Sequence, residues 1–277
     1  MAGLFRETGR GWHDPGMVTL RHTVVLEPVP RKWLEAALAA VVDAVEELRE
    51  ERGHLFAGTE RVQGLRITAG HHIGAGARYL IEDVDADGVP ATHRVDVRAW
   101  DRSSVVRLRY DGKAPDLRLR GEGELRSVDG PATLRWSADF RGAGTRARYR
   151  RGRTKGALDL RAWWAAEPGS RPPLTAELRH PLVKAAVHVR MTETKHARWK
   201  TEVVVTARGR GWARPPAAVA AVLGGFVLRR VFRDGVKEFA EEWNTGVPKA
   251  VALTPGAIKA EVLHSLTTAP AGGKGLA

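Results

Sequence analysis

The sequence predicts an α+β fold in which a curved antiparallel β-sheet wraps around a long C-terminal helix. Three observations predict it. From Val62 to Arg208 the side chains alternate at a period close to two, in short runs separated by tight turns. One face of each run is apolar and the other charged, so the sheet has one wet side. Residues 214–243 then read as one long helix, apolar nearly all round in its first half and amphipathic in its second. A helix that is apolar on every side must be buried, cover a cavity or touch a membrane.

Residues 1–17 read as an irregular lead-in. Val18, Leu20, His22, Val24 and Leu26 share one face of a first strand, which Pro28 and Pro30 end. Lys32–Arg52 places Trp33, Leu34, Ala37, Leu38, Val41, Val42, Val45 and Leu48 at three-four spacing, a helix that Gly53 should stop. Strands follow at 65–69, 79–84, 95–99 and 106–110, with turns expected at Asp85–Gly88 and Asp111-Gly112. Leu117 and Leu119 begin another, where Gly121 and Gly123 suggest a bend. After a turn at Asp129-Gly130 comes the clearest strand, with Ala132, Leu134, Trp136, Ala138 and Phe140 on one face. Leu158–Trp164, Val183–Met191 and Trp199–Arg208 complete the series, and a short helix is expected near Ala257–Leu266. Nine or ten strands are many for one sheet, so a split near Lys113 stays open. The domain reading is an irregular segment 1–17, a main domain 18–244 with extra strands, and a short helix and flexible tail over 245–277.

The chain has 277 residues, enough to bury a sizeable core. It has no cysteine, which excludes disulfides, thiolate metal sites and a cysteine nucleophile. Residues 1–20 are charged at Arg6, Glu7, Arg10 and Asp14, unlike a secretory signal, and no run of roughly 20 apolar residues offers a spanning helix. A soluble, cytoplasmic protein is expected, peripheral to the membrane if it meets one. Net charge is +13, from 45 basic and 32 acidic residues, and such a surplus attracts phosphate-bearing polymers and anionic membranes. Arginine outnumbers lysine and Asn244 is the single asparagine, as GC-rich bacterial coding would give; that bias does not explain the imbalance with acids.

Three stretches carry a family resemblance. They are Thr23-Val24-Val25-Leu26 ahead of a helix, the run from Gly121 to Gly130 leading into Leu134-Arg135-Trp136, and Val231–Asn244, with Phe232-Arg233-Asp234-Gly235-Val236-Lys237-Glu238-Phe239 at its heart. With them the chain resembles the START, polyketide-cyclase and birch-pollen-allergen superfamily and its helix-grip fold, over about two thirds of its length. It departs by having roughly a hundred residues more than a minimal member, and one helix after the first strand instead of two. The resemblance implies a cavity between sheet and terminal helix that holds a lipid, sterol or polyketide-like molecule. It does not imply catalysis, since members include enzymes and carriers.

Candidate ligand-binding residues are Trp136, Phe140 and Trp164 on apolar strand faces, with Phe226, Arg230 and Phe232 on the helix expected to cover them. Plain core packing is the competing reading of each aromatic. Trp163, next to Trp164, is expected to point outward as an exposed ring. The stretch from Arg141 to Lys155 reads as a basic loop, and Arg146, Arg148, Arg150, Arg151 and Arg153 are the candidate anion- or membrane-binding residues. His71-His72 lacks a His-x-x-x-His partner, so no metal is expected, nor is a cofactor. His22 should be a core histidine and His188 an exposed one. No Gly-x-Ser-x-Gly elbow exists, and Asp83 is the best guess for a pocket acid.

The leading expectation is therefore binding or transport of a hydrophobic small molecule or lipid, at an anionic membrane surface, without catalysis. A cyclase or aromatase on the same fold is one alternative. The other is a non-specific nucleic-acid-binding protein that uses residues 141–155. Oligomeric state is not legible.

Overall fold

The computed structural model describes residues 17–84, 90–144, 147–210 and 225–268. After β1 (Met17–Leu26) comes helix α1 (Arg31–Glu46), and then an unbroken meander. Its strands are β2 (Arg49–Glu51), β3 (His54–Ala57), β4 (Glu60–Ala69), β5 (Arg78–Val84), β6 (Pro90–Asp101) and β7 (Val105–Lys113). It continues through β8 (Leu117–Arg126), β9 (Thr133–Gly142), β10 (Arg151–Asp159), β11 (Leu174–Arg179), β12 (Val183–Glu193) and β13 (Trp199–Gly209). A six-residue helix α2 (Leu160–Ala165) joins β10 to β11, and α3 (Gly225–Val251) and α4 (Pro255–Thr267) end the described chain. Every neighbouring pair is antiparallel, and β1 pairs with β13, giving one thirteen-stranded sheet with β1 and β2 at its edges. This is the helix-grip order: a first strand returns beside the last, a meander fills the space between, and a long helix follows. The sheet runs continuously through Lys113, which pairs with Thr92 on one side and Arg118 on the other.

The molecule has two unlike ends. Toward one end lie α1, α2 and α4 and the turns at 102–104, 127–132 and 194–198. There Arg102 reaches Asp43 and Glu46 of α1 and Asp129 of the β8–β9 turn, tying three segments together. At the other end the strands finish in the short turns 114–116 and 180–182 and around Tyr149, with no helix of three turns among the described residues packed over them. Two apolar clusters flank the sheet. Leu48, Leu55, Val62, Ala77, Tyr79 and Val97 form one, closed by Leu263 and Leu266 of α4. Leu26, Met191, Trp199 and Ala240 form the other, with Trp163, Trp164 and Trp243.

Helix α3 lies along β1 and runs the same way, its Trp243 and Asn244 fastened to Glu27 and Val25 at the end of that strand. Phe232, Val236, Ala240, Trp243 and Val247, spaced four, four, three and four residues apart, form its inner stripe. The helix continues beyond Asn244 and through Pro248, while its expected first part, 214–224, lies outside the described residues.

Several local expectations are corrected. Helix α1 stops at Glu46, and Gly53 instead turns β2 into β3 at φ +77°, a conformation that glycine adopts without strain. Asp111-Gly112 lies inside β7, not in a turn. Gly121 and Gly123 lie in an unbulged β8, whose pairing with β9 is regular throughout. Residues 151–159 are strand β10 and not loop, and the strand expected over Leu158–Trp164 ends at Asp159. The Asp159 carboxylate accepts the Ala162 N–H and caps α2, so Leu160 to Ala165 coil into a helix. Asp85–Gly88 and the tail from 269 lie outside the described residues.

Candidate functional site

Register places the apolar side chains in rows that cross the sheet. Leu125, Leu134, Leu158, Leu174, Val189 and Val203 are successive partners from β8 to β13. A second row holds Gly123, Trp136, Gly156, Ala176, Val187 and Val205, and continues to Leu20 of β1. At about 4.8 Å per strand step, each row is roughly 25 Å long. The helices pack on the end of this face, at β9 and β10 through α2, and along its β1 edge through α3. Between them the rows are half-exposed, and Leu134 is open to solvent.

Trp136 and Phe140 lie flat on this face because their cross-strand partners are glycines. A Cβ on Gly156 would come within 2.1 Å of the Trp136 ring, and one on Gly152 within 2.5 Å of the Phe140 ring. Missing side chains on β10 thus make room for aromatic ones on β9, which produces a smooth apolar floor.

A cleft of about 440 Å³ opens between β1 and α3, lined by Leu20, His22 and Phe232 and by Arg21, Arg229, Arg230 and Arg233. Asp234 partners Arg230 at 3.6 Å and Arg233 at 3.2 Å. Arg229 makes no ion pair among the described residues, so the helix side of the cleft is net cationic, while Leu20 and Phe232 supply its apolar surface.

The opposite face of the sheet is charged. Arg107 meets Glu124, Arg109 is registered on Glu122, and Lys155 on Glu177. Asp96, only 7% exposed, takes three arginines, Arg78, Arg94 and Arg98. The hydrogen bond from Arg118 holds the Asp111 carboxyl below the usual carboxylate range, with Arg120 adding to it. Arg107, helped by Arg126, does the same for Glu124. A cleft of about 500 Å³ on this face is lined by Glu122, Glu124, Arg135, Lys155, Glu177 and His188. It is shallow and ringed by charged side chains, unlike an enclosed ligand cavity.

His72 is fully used in structure. Its Nε2–H donates to the Val45 carbonyl at 2.8 Å, which leaves Nδ1 to accept the Tyr79 hydroxyl at 2.9 Å. The Tyr79 oxygen in turn accepts the Ile73 N–H at 2.7 Å, and the His72 N–H donates to Glu50. This bond network fastens the 70–74 loop to α1.

The expected site residues fall in three places. Trp136 and Phe140 share the apolar face of β9. Arg230 and Phe232 meet in the β1–α3 cleft, five strand steps away, so α3 does not cover the β9 aromatics. Trp164 sits on α2, donating to the Val29 carbonyl beneath the Arg31 guanidinium, within the helical end. The Phe226 side chain lies outside the described residues, as does that of Asp83. Trp163 is not an outward ring: it meets Trp199 edge-on at 5.5 Å. Of the basic set, Arg151 and Arg153 belong to β10, Arg150 precedes it and pairs with Asp116, and Arg153 pairs with Asp139. Arg146 and the Arg148 side chain lie outside the described residues. His22 is half-buried in the β1–α3 cleft, and His188 half-buried on the charged face. Arg229 and Arg233, which follow the apolar run in the sequence as Arg230 does, join Arg230 in the cleft, a partnership with β1 that depends on the path of α3. Among the described residues no helix is long and apolar enough to cross a membrane.

No protein-family model and no curated protein matches the chain. Solved structures do. Ara h 8.0201 is 15% identical, with 90% of this chain and 99% of that one covered at a TM-score of 0.20. The di-domain ARO/CYC StfQ from the steffimycin biosynthetic pathway is 12% identical, covering 84% and 98% at 0.21. The ZhuI aromatase/cyclase from Streptomyces sp. R1128 is 11% identical, covering 93% and 99% at 0.19. Scores this low carry no argument, and the fold rests on its strand order.

Proposed function

We propose that the protein binds a hydrophobic small molecule or lipid with an acidic headgroup, and that it does so without chemical change. The apolar part lies along the face of β8 to β13, and the headgroup is met by the arginines beside Phe232. The observation that carries this reading is the half-exposed apolar face, six strands wide and floored by Trp136 and Phe140. Soluble domains rarely leave apolar area of that extent uncovered unless something binds there. Arg229, Arg230 and Arg233 supply the charge complement for a carboxylate or phosphate.

The test is mass spectrometry of an organic extract from protein purified without detergent. A stoichiometric acidic amphiphile is expected. Leu134→Glu places a charge on an already exposed position of the face, so the variant should fold and lose the ligand. An empty extract from folded protein that also fails to take up a fluorescent fatty acid would sink the reading.

A further inference from the structure

The wet face of the sheet changes character along the strands. Over most of its length, opposite charges are registered on one another, as Arg107 on Glu124 and Lys155 on Glu177. At the end away from α1, α2 and α4 this alternation gives way to rows of like charge, although Asp139 still meets Arg153. Lys113, Arg118, Arg141 and Arg151 are direct cross-strand partners through β7, β8, β9 and β10. One position further in, Arg153, Arg179, Lys184 and Arg208 are direct partners through β10, β11, β12 and β13. Like charges placed directly opposite destabilise a sheet. Lys113, Arg141, Arg151 and Arg208 make no ion pair among the described residues. Arg118, Arg153 and Arg179 are held by Asp111, Asp139 and Glu177, but the unpaired cations leave the rim with a surplus of positive charge.

Exposed large apolar side chains lie at the same end, the two most exposed among the described residues included. Met17, 46% exposed, pairs with Arg208, and Leu117, 43% exposed, pairs with Gly142. Helix α3 starts here as well, since Arg229, Arg230 and Arg233 lie beside Thr19–His22 near the start of β1. Its outer side presents Val227 and Val231, 62% and 64% exposed, with Leu228 between them. Aliphatic residues ringed by arginine and lysine match the chemistry of a bilayer interface, where the apolar groups enter below the headgroups and the cations meet their phosphates. A nucleic-acid surface would need aromatic platforms or groove-reading side chains beside the cations, not an aliphatic stripe.

We propose that this rim, with the first turns of α3, docks on an anionic lipid bilayer, the strands standing end-on to the surface. The inference deepens the ligand reading and rests on it for its purpose: the apolar face runs on to the docked end through Phe140 and Leu178, and the cleft beside Phe232 lies near the start of β1. A hydrophobic molecule then passes between bilayer and sheet without crossing water.

The experiment is co-sedimentation of the full chain with vesicles of phosphatidylcholine containing about a third phosphatidylglycerol, and with phosphatidylcholine alone, at about 0.1 M salt. Binding to the anionic vesicles alone is expected, weakening as salt rises. Arg141→Gln with Arg151→Gln should weaken it roughly thirty-fold, at about a factor of five per charge. Val227→Asp with Val231→Asp should abolish it, and both pairs lie at exposed positions that the fold tolerates. Each variant should still carry the extracted ligand, which separates a failure of docking from a failure of the ligand reading. Equal binding to both vesicle types, or undiminished binding by the aspartate pair, would overturn the proposal. So would tighter binding to a duplex DNA or RNA that the aspartate pair leaves unchanged, since that would make the rim a nucleic-acid surface.

Discussion

Tyr79 carries two bonds that no other described residue supplies. Its hydroxyl donates to His72 and accepts from Ile73, and the ring belongs to the cluster beneath α4. Tyr79→Phe keeps the ring but leaves Nδ1 of His72 and a backbone N–H unpaired, which should cost about 1–3 kcal/mol. Urea unfolding should show a lower midpoint with an unchanged slope. The hydroxyl also has a pH signature. Burial raises its pKa above the ordinary value, so the folded state holds its proton longer than the unfolded chain does. That contribution is fully present below about pH 10 and is lost as pH rises through the raised value. The wild type should therefore lose stability above about pH 10 more steeply than Tyr79→Phe. Parallel alkaline profiles would show that the hydroxyl is not so placed.

Strand β10 shows how an element escapes its sequence. Its inward positions are Gly152, Thr154, Gly156 and Leu158, too small to register as an apolar alternation. The missing bulk is supplied by Phe140 and Trp136 on the neighbouring strand, so Arg151, Arg153 and Lys155 beside the glycines read as a loop. β9, with full-sized residues on its own inward face, is legible, as are β12 and β13. Helix α1 is over-read for the converse reason: Leu48 keeps the three-four spacing but belongs to the core beyond the helix end. The candidate site divides the same way. Residue type marks Trp136, Phe140, Arg230 and Phe232, but their separation depends on how many strands lie between β1 and β9. Gly156→Val should drive a side chain into the Trp136 ring and cost about 1–3 kcal/mol. Combining it with Trp136→Leu should cost less than the sum, as a double-mutant cycle in denaturant would reveal. At α3, Asn244 accepts the Glu27 N–H at 2.7 Å and donates to Val25 at 2.9 Å. Asn244→Ala should free the helix locally, so that hydrogen exchange rises across 225–251 while the β8–β13 amides stay protected.

The charge of the whole molecule is arranged against its own stability. Carboxylates such as Asp111 and Glu124 are held below their ordinary pKa by the arginines around them, so the folded state favours their charged form. Their contribution is complete above the ordinary carboxylate range and is lost as pH falls through the depressed values. Acid does more than remove those pairs. It leaves 45 lysines and arginines with few partners, and the rim rows, already like-charged in register, then extend over the entire wet face. Self-repulsion of that kind is screened by salt, with a Debye length that shortens from about 10 Å at 0.1 M to about 3 Å at 1 M. At neutral pH the same salt also weakens the registered pairs, so its two actions oppose one another. Raising salt should therefore lift the thermal midpoint more at about pH 3 than at pH 7. Equal increments at both values would mean that the wet face is held together by something other than its ion pairs.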